Sequence, residues 1–227
     1  MTAASLLPMA ALGGLVGLDV VSFPQAMISR PLVAATLAGA LCGDAGAGLL
    51  AGAALEMLAM ETLPFGASRY PEWGSASVVA GAIAAGIPPA SAGTLVLGAL
   101  AGLATAWLGG WSMFFVRRLN GTWSLRARPR LEGGDARVVP ALQLRGLTAD
   151  FLRGALLTAA VLALARPVVT DLAPRIASSN WLLVFLLAAL GASVAASALW
   201  RLAPVVARVR WYAAIACAAA IAVAVSR

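Results

Sequence analysis

From Pro31 to Met60 the chain carries only two charged side chains, Asp44 and Glu56, among residues that are otherwise small or apolar. Runs of the same kind occupy about 3–28, 31–43, 46–60, 75–87, 90–116, 147–165, 180–199 and 203–225, broken at Pro, Gly or charged residues. Helices built from such runs have no polar face to turn toward water. With 62% hydrophobic and 11% charged residues in 227 positions, too few polar groups remain to clothe a water-soluble core. The pattern is that of an integral membrane protein, and at about 20 residues per spanning helix there is room for about six to eight membrane segments. The predicted fold is all-α, a polytopic membrane helix bundle forming a single membrane-embedded domain over 1–227. Residues 1–18 hold no Lys or Arg ahead of the apolar run and no small-x-small cleavage pattern, so they are read as a retained first segment.

Some of the runs are short for a crossing. Those at 31–43 and 46–60 are separated only by Gly43-Asp44-Ala45, and the run 75–87 ends at Pro88-Pro89. Short, glycine-punctuated apolar segments predict re-entrant or broken helices, which are tolerated at membrane depth where they are buried in protein or line a cavity. Residues 30–90 are therefore the candidate working part, within an N-terminal half of 1–118 that holds the candidate site. Interleaved Gly39, Gly43, Gly46, Gly48 and Gly52 fit close helix approach, since in lipid helices associate by packing rather than by escape from water.

Residues 119–146 are the one long polar stretch and are predicted to be a loop between that half and the C-terminal helices of 147–227. All 16 basic residues are arginines, and Arg117, Arg118, Arg126, Arg128, Arg130, Arg137, Arg145 and Arg153 lie in or beside this stretch. The excess of positive charge points to the cytoplasmic side. Trp111, Trp200 and Trp211 stand near arginines as interface anchors, and Cys42 and Cys217, inside apolar runs, read as small hydrophobes.

A carboxylate at the centre of a membrane helix costs about 2.5–3.5 kcal/mol on insertion scales, so it faces protein, a partner or water. The candidates are Asp19, Gln25, Asp44, Glu56 and Glu61. Glu56, ringed by Ala53, Ala54, Leu55, Met57 and Leu58, is the deepest by sequence. Asp44 stands where an N-cap belongs, and Arg30 is placed to pair with a nearby acid. The connector 63–74 brings Arg69, Tyr70, Glu72 and Trp73 together, a mixture that suits either a sugar or membrane anchoring. The chain has no histidine, no lysine and no GxxxxGK[ST] stretch. A histidine-based catalytic set, a phosphohistidine and nucleotide binding by a Walker loop are thereby excluded on this polypeptide, and no cofactor is expected.

The stretch "SRPLVAATLAGALCGDAGAGLLAGAALEMLAM" followed by "LPFGA", with its Arg-Pro-Leu, Gly-Asp and Leu-Glu in that order, resembles the IIC component of the mannose/fructose/sorbose family of the bacterial sugar phosphotransferase system. The resemblance covers about 18–80; from "LRGLTADFLRGALLTA" onward it rests on general layout. It implies a multi-pass subunit of the bacterial inner membrane that binds and carries a hexose while partner subunits phosphorylate it. The implied partners are a IID membrane subunit and soluble IIA and IIB phosphocarriers, with assembly as a trimer of IIC–IID pairs. By the same resemblance Glu56, Gln25, Gly66 and Ala67 are candidate sugar-binding residues framed by Arg30, Pro31, Gly43 and Asp44; Asp19, a membrane-region acid, and Ser68, next to Ala67, are candidates beside them. "ASRYPEWG" departs from the Ala-Pro-Asp-type loop common in the family. Two other roles fit the composition alone: a non-transporting membrane scaffold, or a proton-coupled secondary transporter with Glu56 as its proton site.

Overall fold

A computed structural model of the chain describes residues 3–20, 22–60, 70–87, 91–177 and 188. The expected membrane runs at 180–199 and 203–225, Glu61, Arg69 and Cys217 lie outside these residues, apart from Ala188 within the first run. Among the described residues the fold is all-helical, with six helices: α1 (Ala3–Asp19), α2 (Pro31–Cys42), α3 (Ala45–Ala59), α4 (Trp73–Gly86), α5 (Ala92–Glu132) and α6 (Val138–Ala177). Two of them, α5 and α6, are long and apolar enough to cross a membrane.

The short helices form a tight hairpin. Pro31 opens α2 at its first position, where a missing N–H costs nothing and the ring already holds a helical φ. Gly43 ends α2 at φ 93°, the left-handed conformation that glycine adopts without steric penalty, and its N–H closes on Ala40 O at 3.1 Å. The next residue, Asp44, accepts the Ala47 N–H at 2.9 Å and so caps α3. With turn and cap in consecutive residues, α3 folds straight back on α2. A Cβ on Gly39 would come within 2.7 Å of the Gly48 Cα, so the two backbones touch where only hydrogen can stand between them. At 12 and 15 residues and about 1.5 Å per residue, neither helix reaches across a hydrocarbon layer of about 30 Å.

Helix α4 is the centre of the bundle. Twelve of its 14 residues are buried, and it packs against all five other helices, as expected of a helix apolar on every side. Val78, Val79, Ala82 and Ile83 meet Met9 and Val16 of α1, Ala34 and Ala38 of α2 and Leu162 of α6 in one core. Ala80 and Ala84 meet Ala51 and Leu55 of α3 in a second.

Ser91 and Thr94 cap α5 reciprocally, and the helix then runs for 41 residues. Its stretch from Ala92 to Val116 has no charged residue, and Leu100, Trp107, Leu108, Trp111 and Phe115 form an exposed apolar stripe along it. The arginine-rich stretch 119–146, expected to be a loop, is instead helical on both sides of a short turn: α5 continues through it to Glu132 and α6 starts at Val138. Although Asn120, Gly121 and Pro129 lie in its path, packing against α6, as in the Arg145–Trp123 contact, and Arg128–Glu132 pairing at i,i+4 carry α5 past its apolar end. In the turn, Asp135 accepts from Arg130 at 2.7 Å and from the Arg137 N–H at 3.1 Å. The Arg130 hydrogen bond holds the Asp135 carboxyl below the usual carboxylate range.

Candidate functional site

Glu56 lies on the last turns of α3, beside the start of α2. One carboxylate oxygen, Oε1, pairs with the Arg30 guanidinium. The other, Oε2, accepts the Leu32 N–H at 3.1 Å. Leu32 is the second residue of α2, where a backbone donor has no intrahelical acceptor, so Glu56 closes the positive end of the neighbouring helix as well as an ion pair. Its side chain is 17% exposed and that of Arg30 44%, which puts the pair at an accessible edge rather than in a sealed core.

Arg30 is reached through the connector that follows α1. Asp19, the last residue of α1 and 2% exposed, accepts the Ala26 N–H at 2.6 Å, the Ser29 N–H at 2.9 Å and the Ser29 hydroxyl at 2.8 Å. One carboxylate thus folds the connector into a closed loop and aims Arg30 at Glu56. Gln25 sits on that loop, exposed and at φ 59°, a conformation uncommon for a residue with a Cβ. Asp19, Gln25, Arg30, Pro31 and Glu56 are therefore gathered at one end of the α2–α3 hairpin. Gly43 and Asp44 are not among them; they occupy the opposite end, about 20 Å away along α2. Gly66, Ala67 and Ser68 lie outside the described residues.

A second cluster was not legible in advance. Tyr70 and Glu72 belong to the connector that suits either a sugar or membrane anchoring, and both are buried. Glu72 Oε1 caps α4 through the Ser75 N–H at 3.0 Å; its Oε2 stands 3.7 Å from Arg153 Nη1. Arg153 donates through Nε to Asp150 at 2.7 Å and through Nη1 to Ser112 Oγ at 3.3 Å, and Asp150 also accepts from Ser22 Oγ at 3.2 Å. One guanidinium therefore stands between two carboxylates in a site where all three side chains are under a tenth exposed. Its members come from the cap of α4, from α5 and α6, and from the connector after α1. Nearby, Arg117 donates to the Tyr70 hydroxyl at 2.6 Å and lies 5.0 Å from the centre of its ring. Counting Arg117 and Arg153 with the polar stretch hid these roles. The signal available was the acid–base spacing in "ADFLR", which puts Asp150 and Arg153 on one face of a helix at i,i+3.

Short helices packed through glycine, two long apolar helices, and ion pairs buried among them are features of a helical membrane protein, in which charges face protein rather than lipid. The family model described as the sorbose-specific IIC component of the PTS system matches residues 3–200, and the chain belongs to that family. It is thus a membrane-embedded IIC subunit of a sugar phosphotransferase system, and it works with other components of such a system. Among curated proteins none matches the chain.

Proposed function

We propose that this chain carries a hexose across the bacterial inner membrane as a multi-pass subunit, paired with a IID membrane subunit in a trimer of IIC–IID pairs. Phosphate reaches the sugar from soluble IIA and IIB carriers, since this polypeptide has no histidine to accept it. The observation that carries the reading is the Arg30–Glu56 pair: charged, partly accessible and set at the end of a hairpin too short to span the bilayer. Sugar hydroxyls both donate and accept, so a carboxylate and a guanidinium side by side are complementary to a vicinal diol. Asp19 and Gln25 would complete the pocket from the connector, with Gly66, Ala67 and Ser68 as the remaining candidates. Because both oxygens of Glu56 already have partners, its role is to hold Arg30 and the start of α2 in place as much as to grip the sugar.

The test is phosphoenolpyruvate-dependent phosphorylation of labelled hexoses by membrane vesicles containing this chain, its IID partner and the soluble carriers. Phosphosugar should form only when this chain is present, and Glu56→Gln should lower the rate at least tenfold. An unchanged rate in Glu56→Gln would remove Glu56 from the site. No product from any hexose, with the membrane complex intact, would turn the assignment toward a scaffold.

A further inference from the structure

Beyond Arg117 the two long helices continue as a hairpin, and its inner face encloses two cavities that share Trp123 and Leu142 as walls. Residues 120, 123, 124 and 127 form one stripe of α5 at helical spacing, and 142, 143, 146 and 150 form the facing stripe of α6. The first cavity, about 370 Å³, is lined by Ser22, Asn120, Trp123, Ser124, Gln143 and Asp150 among others. That is one indole, two carboxamides, two hydroxyls and one carboxylate, with no cation. The Asn120 Oδ1 is buried and has no hydrogen-bond partner among the described residues. An orphaned buried acceptor calls for a donor beyond the described residues, such as a bound ligand.

The second cavity, about 280 Å³, shares Trp123 and Leu142 with the first and presents Arg126, Arg130 and Arg145. Two of the three guanidinium groups are held in position: Arg145 lies 5.3 Å from the centre of the Trp123 ring, and Arg130 pairs with Asp135 at 2.7 Å. Arg126 makes no ion pair among the described residues. Guanidinium forks match phosphate oxygens in pairs. The first cavity has the opposite preference: its amides and hydroxyls suit neutral hydroxyl groups, and a flat indole suits the C–H face of a sugar ring.

We propose that the α5–α6 hairpin binds a phosphorylated sugar, with its ring between Asn120, Gln143 and Trp123 and its phosphate on Arg126 and Arg145. A phosphorylated sugar is the product class of a sugar phosphotransferase system, so occupancy of the hairpin would let the transport subunit sense product at a place separate from Glu56. A phospholipid headgroup offers the same phosphate. Along the axis of α5, however, Arg126 is about 13 Å beyond Arg117, and a headgroup layer is about 5–7 Å deep, which favours a soluble ester.

The experiment is calorimetric titration of the full-length chain in detergent with mannose 6-phosphate and fructose 1-phosphate, and separately with mannose, fructose and inorganic phosphate. At least one phosphosugar should bind tenfold or more tightly than both its parent sugar and inorganic phosphate. Asn120→Ala and Arg126→Gln should each weaken it at least fivefold. Gly146→Leu, grown from a wall where a Cβ would lie 3.6 Å from the Asn120 amide, should abolish it, with gel filtration and thermal unfolding showing each variant folded. Inorganic phosphate binding as tightly as the ester overturns the proposal, as does absence of heat with both esters. Binding to phosphatidylglycerol nanodiscs that Arg126→Gln removes, with no phosphosugar binding, gives the site to lipid instead. Because titration needs no transport, phosphosugar binding by a chain that fails to support hexose uptake would sink the transport reading and leave this one standing.

Discussion

Asp19 shows how much one buried carboxylate can organise. With three donors on its two oxygens, it orders the connector that carries Gln25 and delivers Arg30 to Glu56. Asp19→Asn keeps the shape but turns one acceptor into a donor facing donors; the expected loss is about 1–3 kcal/mol, read as a lower midpoint of thermal unfolding in detergent. Arg153 is held more tightly still. Arg153→Met would leave Glu72 and Asp150 buried without a counter-charge, a cost of about 3–5 kcal/mol for a broken buried pair, and should sharply reduce the monodisperse fraction after extraction. If Arg153→Met extracted as well as the parent chain, the cluster would have no structural role.

Among the elements, the α2–α3 hairpin and the α5–α6 hairpin answer different demands. The first is built for closeness: its turn is set by Gly43 and its cap by Asp44, and its two faces meet at Gly39 and Gly48. Gly48→Leu would drive a side chain into the backbone of α2, where a Cβ alone already clashes with Ala35 O. Overpacking of this kind costs about 1–3 kcal/mol; thermal unfolding should show it, and transport should fall with it because Arg30 and Glu56 sit at the end of the same hairpin. The second is built for length. Its helices persist beyond their apolar parts because they pack against each other, as where Arg145 lies over Trp123, and because Arg128 pairs with Glu132 at i,i+4, whereas a reading based on polarity alone takes such a stretch for a loop.

At the scale of the whole molecule, α4 ties the two hairpins and α1 together, and Glu72 and Arg153 bind its start to α6. By the positive-inside rule, the arginines of the long hairpin predict a cytoplasmic tip. With Cys42 and Cys217 replaced by Ala, a cysteine introduced as Glu132→Cys should react with a membrane-impermeant thiol reagent in inverted vesicles and stay unlabelled in right-side-out ones. The opposite pattern would reverse the orientation of the chain.

The hydrophobic runs, the cap at Asp44, the glycine stop at Gly43 and the proline start at Pro31 were all legible in the sequence, because hydropathy, capping and φ preference act over a few neighbouring residues. From those local rules the sequence by itself determined a helical membrane protein with interrupted segments in its first half. Which charges meet was decided only by the tertiary structure. Ser22 and Asp150 are 128 positions apart, and Glu72 caps α4 while Ser112 and Arg153 come from α5 and α6; their meeting depends on how each helix is rotated and docked against α4. No local pattern encodes that rotation: in a chain this apolar, both sides of a helix offer similar hydropathy, and the choice between them rests on close packing and on the cost of leaving a charge unpaired.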